Sequence, residues 1–166
     1  MNLAICGIDE LTGFIGKATH FISIVDPEDI EFLPHTGINR KHHLTLACHD
    51  VDSSREALQR EARMPGSTCV APTKAMVKQA LEFGKKLPRN HFIVINCGYG
   101  ISRSTAIAFA LLCQSRPKVS ETALLQEIIK LRPEASPNAL IVKFADELLQ
   151  RDGRMIRAVQ KLSVGF

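Results

Sequence analysis

Ile93-Val94-Ile95-Asn96-Cys97-Gly98-Tyr99-Gly100-Ile101-Ser102-Arg103-Ser104-Thr105 passes from a β-branched apolar run, through a short glycine-containing segment, into a long apolar run. Phe92 to Asn96 predicts a buried strand, and Ser104 to Gln114 a buried helix. Five residues separate Cys97 from Arg103, and two of them are glycine. A strand, a short loop and a helix N-terminus in that order leave unpaired N–H groups and the positive end of the helix dipole facing the loop. Gly98 and Gly100 are expected to let the loop curl with its amides inward, because glycine tolerates positive φ and close approach. Arg103 adds a planar fork that holds two oxygens of an anion at once.

A thiol at a helix N-terminus beside a cation ionises readily, so Cys97 is expected as a thiolate with no separate base. A buried cysteine at a strand end is ordinarily a small hydrophobe. The conjunction of the glycines, Arg103, Ser104 and the strand-to-helix setting outweighs that reading. Other phosphate motifs fit badly: no Gly-Lys-Ser/Thr ending marks a nucleotide loop, and the third glycine of a dinucleotide fingerprint is missing. The pattern points to attack of a thiolate on a phosphate ester, a reaction carried mostly by positioning and charge stabilisation. Gly98, Tyr99, Gly100, Ile101, Ser102 and Arg103 would surround the phosphoryl oxygens. Ser104 would place a hydroxyl near the sulfur and help it leave again.

Cys97 through Ser104 resembles the signature loop of the cysteine-dependent protein-tyrosine phosphatases. Gly100 to Ser104 is most similar to the dual-specificity branch, as is the downstream segment Leu131-Arg132-Pro133-Glu134-Ala135-Ser136-Pro137-Asn138. With the ending Leu148-Leu149-Gln150-Arg151-Asp152-Gly153-Arg154-Met155, the chain looks like the small bacterial members, and the resemblance covers most of residues 40–155. It departs at Asn96, where the family usually has histidine; asparagine still hydrogen-bonds but carries no positive charge. The resemblance implies hydrolysis of phosphotyrosine, with phosphoserine and phosphothreonine as further esters, through a phosphocysteine intermediate. It also implies that neither metal nor cofactor takes part.

Expelling the leaving oxygen needs a proton donor that then serves as base on water. Asp50 ends a predicted strand, and His49-Asp50 is where the resemblance puts the family's acid, so Asp50 is preferred to Asp52. His49 is a weaker candidate for a hydrogen bond near the site. Arg132 and Asn138 are expected to support the loop or cap a helix. Cys48 is a minor candidate for trapping Cys97 as a disulfide. Val51 to Pro72 reads equally as a lid or as a surface excursion. The absence of lysine between Cys97 and Arg103 speaks against a polyanionic inositol phosphate.

The 166 residues are expected to form one domain, 1–166, with 45% apolar and 23% charged residues in the range of soluble globular proteins. No apolar run reaches the roughly 18–20 residues that span a bilayer. Met1 to Ile8 lacks a basic segment and reads as a first strand rather than a secretory signal. Five cysteines without paired metal spacing argue against a disulfide scaffold or zinc site and for a cytoplasmic, reducing setting. The formal charge of +4 suits anionic substrates in general rather than nucleic acid. The expected partner is a phosphorylated protein or small phosphate ester, without membrane insertion, and a monomer is expected.

Residues 3–8, 21–25 and 43–48 read as further strands, and 28–40 as a connecting loop. Residues 53–63 and 73–87 are helix-compatible; Ser120 is a good N-cap for 121–131, and Asn138 or Ser136 for a helix to Leu149. A short last helix follows Gly153, with Arg151, Arg154, Arg157 and Lys161 spaced as a solvated basic face. His42 and His43, adjacent on one strand, would point to opposite faces. The fold class is therefore α/β: a mostly parallel sheet of about four to five strands flanked by helices, with a helical C-terminal half. Two other functions fit the same loop: a phosphate-binding module with little turnover, and a thiol enzyme of sulfur transfer or arsenate reduction.

Overall fold

In the computed structural model, which describes residues 1–53, 59 and 68–164, β4 (Ile93–Cys97) lies inside the sheet, and every residue of it is buried. β1 (Leu3–Gly7) pairs with one side of it and β2 (His20–Val25) with the other; β3 (His43–Ala47) pairs with β2. The order is β1-β4-β2-β3 and every pairing is parallel, so the sheet has four strands, the lower of the two numbers expected. Strands buried on both faces explain why β2 and β4 read as nearly continuous apolar runs rather than alternating ones.

Five α-helices have bounds among the described residues: α1 (Lys74–Lys85), α2 (Arg103–Ser115), α3 (Glu121–Leu131), α4 (Ala139–Leu148) and α5 (Arg154–Val164). Thr73, Ser120 and Asn138 cap α1, α3 and α4 by accepting from the N–H three residues on. α2 is buried from Arg103 to Cys113, because it sits at the centre of the helical layer, between the sheet and the helices around it. All five helices contribute to the larger core, on one face of the sheet, with Ile5, Ile22, Ile24, Ile93 and Ile95. The expected parallel sheet flanked by helices is what the chain forms, with the named helices on one face. Among the described residues the other face is closed by a smaller cluster, in which Leu11 and Phe14 of a 3-10 turn, Leu33 and Ile38 pack on Phe21 and Val94.

Other expectations change in detail. The connection over 28–40 holds two 3-10 turns, Pro27–Phe32 and Arg40–His42. His42 is therefore not on the strand; it stacks on His20, while His43 turns to Ser23. The predicted basic face is not simply solvated. Arg151 is buried, donates to Glu121 at 3.0 Å and to the carbonyls of Cys113 and Pro117, and so ties α2 to the start of α3. Arg154 shares Glu121, and Arg157 donates to the Asp152 carbonyl. The helix expected over 53–63 and the lid reading of Val51 to Pro72 fall largely on residues outside those described. No helix among the described residues is long and apolar enough to cross a membrane.

The register aligns the C-terminal ends: Gly7 lies opposite Cys97, and Val25 opposite Ala47. The residues that leave those ends, 8–10, 26–29, 48–50 and 98–103, therefore meet at one edge, where ligands of parallel sheets bind.

Candidate active site

Cys97 is the last residue of β4, 2% exposed, with its Sγ 3.2 Å from Ser104 Oγ on the first turn of α2. The loop between them is defined by where its carbonyls go. Gly98 O accepts from Ile8 N–H at 3.0 Å, Tyr99 O from Arg132 at 2.9 Å, Ile101 O from Ser136 N–H at 3.0 Å and Ser102 O from Asn138 N–H at 3.3 Å. In a planar trans peptide the N–H points opposite to the carbonyl. The amides of Tyr99, Gly100, Ser102 and Arg103 are thus turned away from the scaffold, and none of them donates to an acceptor among the described residues. The result is a nest of donors at a helix N-terminus, a ready anion site.

The two loop glycines differ. Gly100 has φ +73, and a Cβ there would lie 2.5 Å from the Cys6 carbonyl carbon and 2.6 Å from Gly7 N. Gly98 has no positive φ, and the nearest atom to a Cβ there is an Arg103 nitrogen at 3.8 Å. Of the two loop glycines, Gly100 is the one with left-handed backbone. Tyr99 is 82% exposed and stands at the rim.

Arg103 is buried, although the neighbourhood keeps it charged. Its Nη1 donates to Asp26 Oδ1 and to the Cys48 carbonyl, both at 2.5 Å, and its Nε lies 3.9 Å from Asp50 Oδ2. Burial alone would lower its pKa; Asp26, Cys97 and Asp50 hold it above the ordinary value. Its Nε is buried without a hydrogen-bond partner among the described residues.

Asp50 lies beyond the end of β3 and reaches the loop: its Oδ1 accepts from Ser102 Oγ at 2.6 Å and from Asn138 Nδ2 at 2.9 Å. Asp52 turns elsewhere and accepts from Ala139 N–H at 2.7 Å, at the start of α4. Of the expected residues, Cys97, Ser104, the loop, Arg103 and Asp50 therefore come together, and Asp52 does not. Arg132 braces the loop while paired to Glu10, whose other oxygen accepts from Gly7 N–H at 2.6 Å. The Glu10 carboxyl is held below its usual range by Arg132 and by that amide.

Asp26, Glu10 and Ser23 were not singled out from sequence as parts of the site. Asp26 is the partner of Arg103 across 77 residues, and Glu10 is the partner of Arg132 across 122. Behind Cys97, Asn96 Oδ1 accepts from Ser23 Oγ at 2.6 Å, which is 2.9 Å from His43 Nε2. Burial lowers the His43 pKa, so this link is a neutral one. Their only sequence signals were a polar residue inside an apolar strand and an acid directly after one.

Asp26, Glu28 and His49 bring ligand-type atoms within 4.8 Å of one another, but these atoms already have partners. Asp26 holds Arg103, while His49 accepts from Val70 N–H at Nδ1 and lies 3.1 Å from a Glu28 oxygen at Nε2. Cys48 serves the site through its carbonyl; burial pushes its thiol up to about 12, which disfavours the thiolate that a disulfide exchange would need.

No family model matches the chain, and no curated protein matches it. Solved structures do. DUSP15 superposes with a TM-score of 0.62 at 20% identity, over 99% of this chain and 92% of that one. Cydia pomonella PTP-2 phosphatase gives 0.62 at 15%, over 89% and 85%. PTPMT1, solved in complex with PI(5)P, gives 0.61 at 17%, over 90% and 91%. The chain has the fold of the cysteine-dependent phosphatases, of the dual-specificity type.

Proposed function

We propose that this protein is a cysteine-dependent phosphomonoesterase acting on phosphotyrosine and related protein phosphoesters. The observation that carries this is the loop of outward-tied carbonyls and leftover amides, closed by a buried Arg103, around Cys97. The fold it shares with solved phosphatases adds support.

In this reading the Cys97 sulfur attacks phosphorus and forms a P–S bond as the P–O bond to the leaving group breaks. Arg103 and the amides of the loop hold the equatorial oxygens, where the charge is spread in the transition state. Asp50 gives its proton to the leaving oxygen. It then takes one from water, whose oxygen attacks phosphorus and releases the Cys97 thiolate with inorganic phosphate. Ser104 Oγ, at 3.2 Å, donates to the departing sulfur. The hydrogen bonds from Ser102 and Asn138 keep the Asp50 carboxyl beside the loop, with its second oxygen toward Arg103.

The test is hydrolysis of a small aryl phosphate in excess EDTA. Wild type is expected to turn over, Cys97→Ser to fall to background, and Asp50→Asn to fall about a hundredfold or more with loss of its acid-linked pH limb. Folded wild type that binds vanadate but does not turn over would leave a phosphate-reading module. Formation of a Cys97 persulfide from thiosulfate with release of sulfite, or arsenate turnover with a thiol donor, would instead establish the sulfur or arsenic chemistry.

A further inference from the structure

A cavity of about 740 Å³, far more than a phosphate fills, opens directly beside the loop. Arg103, Gly98 and Tyr99 form one side of it, so any ester whose phosphate sits on the loop extends its remainder into this space. The rest of the lining includes residues that follow β1 and β2: Asp9, Asp26, Asp29 and Phe32. Three carboxylates thus line a cavity in which Arg103 is the one cation among the described residues, on a chain of net charge +4. Among the described residues no lysine or second arginine joins that lining.

Asp26 is neutralised by Arg103 at 2.5 Å. Asp9 and Asp29 are exposed, and neither carboxylate has a cationic partner among the described residues. Their field acts on whatever enters beside the phosphate, strongest in a concave site. Phe32 is 75% exposed and Tyr99 is 82% exposed, and both line this cavity. Exposed aromatic faces beside carboxylates accept the flat ring of a substrate and the stem and head of a lysine or arginine. The same carboxylates repel additional phosphates on a ligand.

We propose that this cavity is a subsite for a cationic residue, so that the preferred substrates are phosphotyrosyl segments with lysine or arginine next to the phosphotyrosine, and polyanionic phosphate esters are rejected. This rests on the phosphomonoesterase reading above and adds the substrate class to it.

The test uses two phosphotyrosyl peptides that differ only in lysines or glutamates flanking the phosphotyrosine. Their kcat/KM is measured on wild type, and their binding by fluorescence anisotropy on Cys97→Ser. An exposed ion pair is worth roughly two- to fivefold, so two of them favour the lysine peptide by about tenfold at low salt. The preference shrinks in high salt. Carrying Asp9→Asn and Asp29→Asn together brings the ratio to within about twofold. Asp29→Lys moves it toward the glutamate peptide. Because each result is a ratio of two peptides on one preparation, a general loss of activity cancels.

Equal affinity for the two peptides in wild type overturns the proposal. So does a preference that survives the paired asparagine variant, a soluble inositol polyphosphate binding more tightly than the lysine peptide, or binding of neither peptide while vanadate still binds. Failure of the phosphomonoesterase reading looks different: no turnover of peptide or aryl phosphate by wild type, with the lysine preference intact in binding to Cys97→Ser.

Discussion

At Gly100 the backbone leaves no choice of residue. With φ +73 and the Cys6–Gly7 peptide within 2.8 Å of any Cβ, alanine there meets both left-handed strain and a clash with backbone that cannot swing aside. These costs sum to roughly 2–5 kcal/mol. Gly100→Ala is therefore expected to lower the urea midpoint sharply, or to push the loop off β1 and abolish vanadate binding. Gly98→Ala meets nothing nearer than 3.8 Å and should stay within about 0.5 kcal/mol of wild type. Comparable destabilisation by the two variants would mean that the loop is not held against β1 as described. Sequence reading placed both glycines in the loop, because their spacing from Cys97 and Arg103 is local information. Which of them is obligatory depends on how close β1 comes, and that is settled by a strand some ninety residues earlier. Asp26 escaped notice for the same reason: an acid followed by proline reads as a turn, and nothing local says that an arginine 77 residues later will reach it.

The elements themselves were far more legible than their partners. All four strands and the helices at 74–85, 103–115, 121–131 and 139–148 fall within about two residues of their expected bounds, because apolar periodicity and capping residues are local signals. The strand order, and the placement of every described helix on one face, came only with the structure, since parallel strands carry apolar residues on both sides. Asn138 shows how one element end serves two purposes. Its Oδ1 caps α4 by accepting from Ile141 N–H at 3.0 Å, and its Nδ2 donates to Asp50 and to the Val51 carbonyl. Losing an N-cap costs about 1 kcal/mol, and more where the group is buried as here. Asn138→Ala is expected to lose about 1–3 kcal/mol in urea unfolding. It should also lower kcat on aryl phosphate more than KM, since Asp50 loses one of its two donors. Asn138→Asp keeps the cap but sets a carboxylate against Asp50, so it should recover part of the stability without recovering kcat. Full activity in Asn138→Ala would show that Asp50 is placed by Ser102 alone.

Over the whole molecule, shifted titrations set the pH range in which the fold is firmest. Burial lowers the pKa of His43; burial, with His42 and His91 nearby, does the same for His20, each from an ordinary 6.5. The folded state then binds fewer protons than the unfolded chain below that value. Their contribution is complete above pH 6.5 and is lost as pH falls through the lowered values. Glu10 and Glu121, held below an ordinary 4.5, add a second loss further into acid. At Glu121, burial raises the pKa, but its own backbone amide, Arg154 and Arg151 outweigh it. On the alkaline side burial pushes Cys6, Cys48 and Cys113 from 9.0 up to about 12. Above pH 9.0 the unfolded chain releases thiol protons that the folded state keeps, so stability falls from there as pH rises toward 12. The urea midpoint is expected to be broad and flat between about pH 6.5 and 9, declining on both sides. Cys113→Ala should soften the alkaline decline and leave the acid side unchanged, since Cys113 packs within α2, away from the histidines. His43→Gln should remove part of the first acid step only. A midpoint that rises as pH drops below 6.5 would mean that His43 is protonated in the folded state. The link from Ser23 to Asn96 would then carry charge toward the strand that ends in Cys97, and the neutral network behind the loop would have to be abandoned.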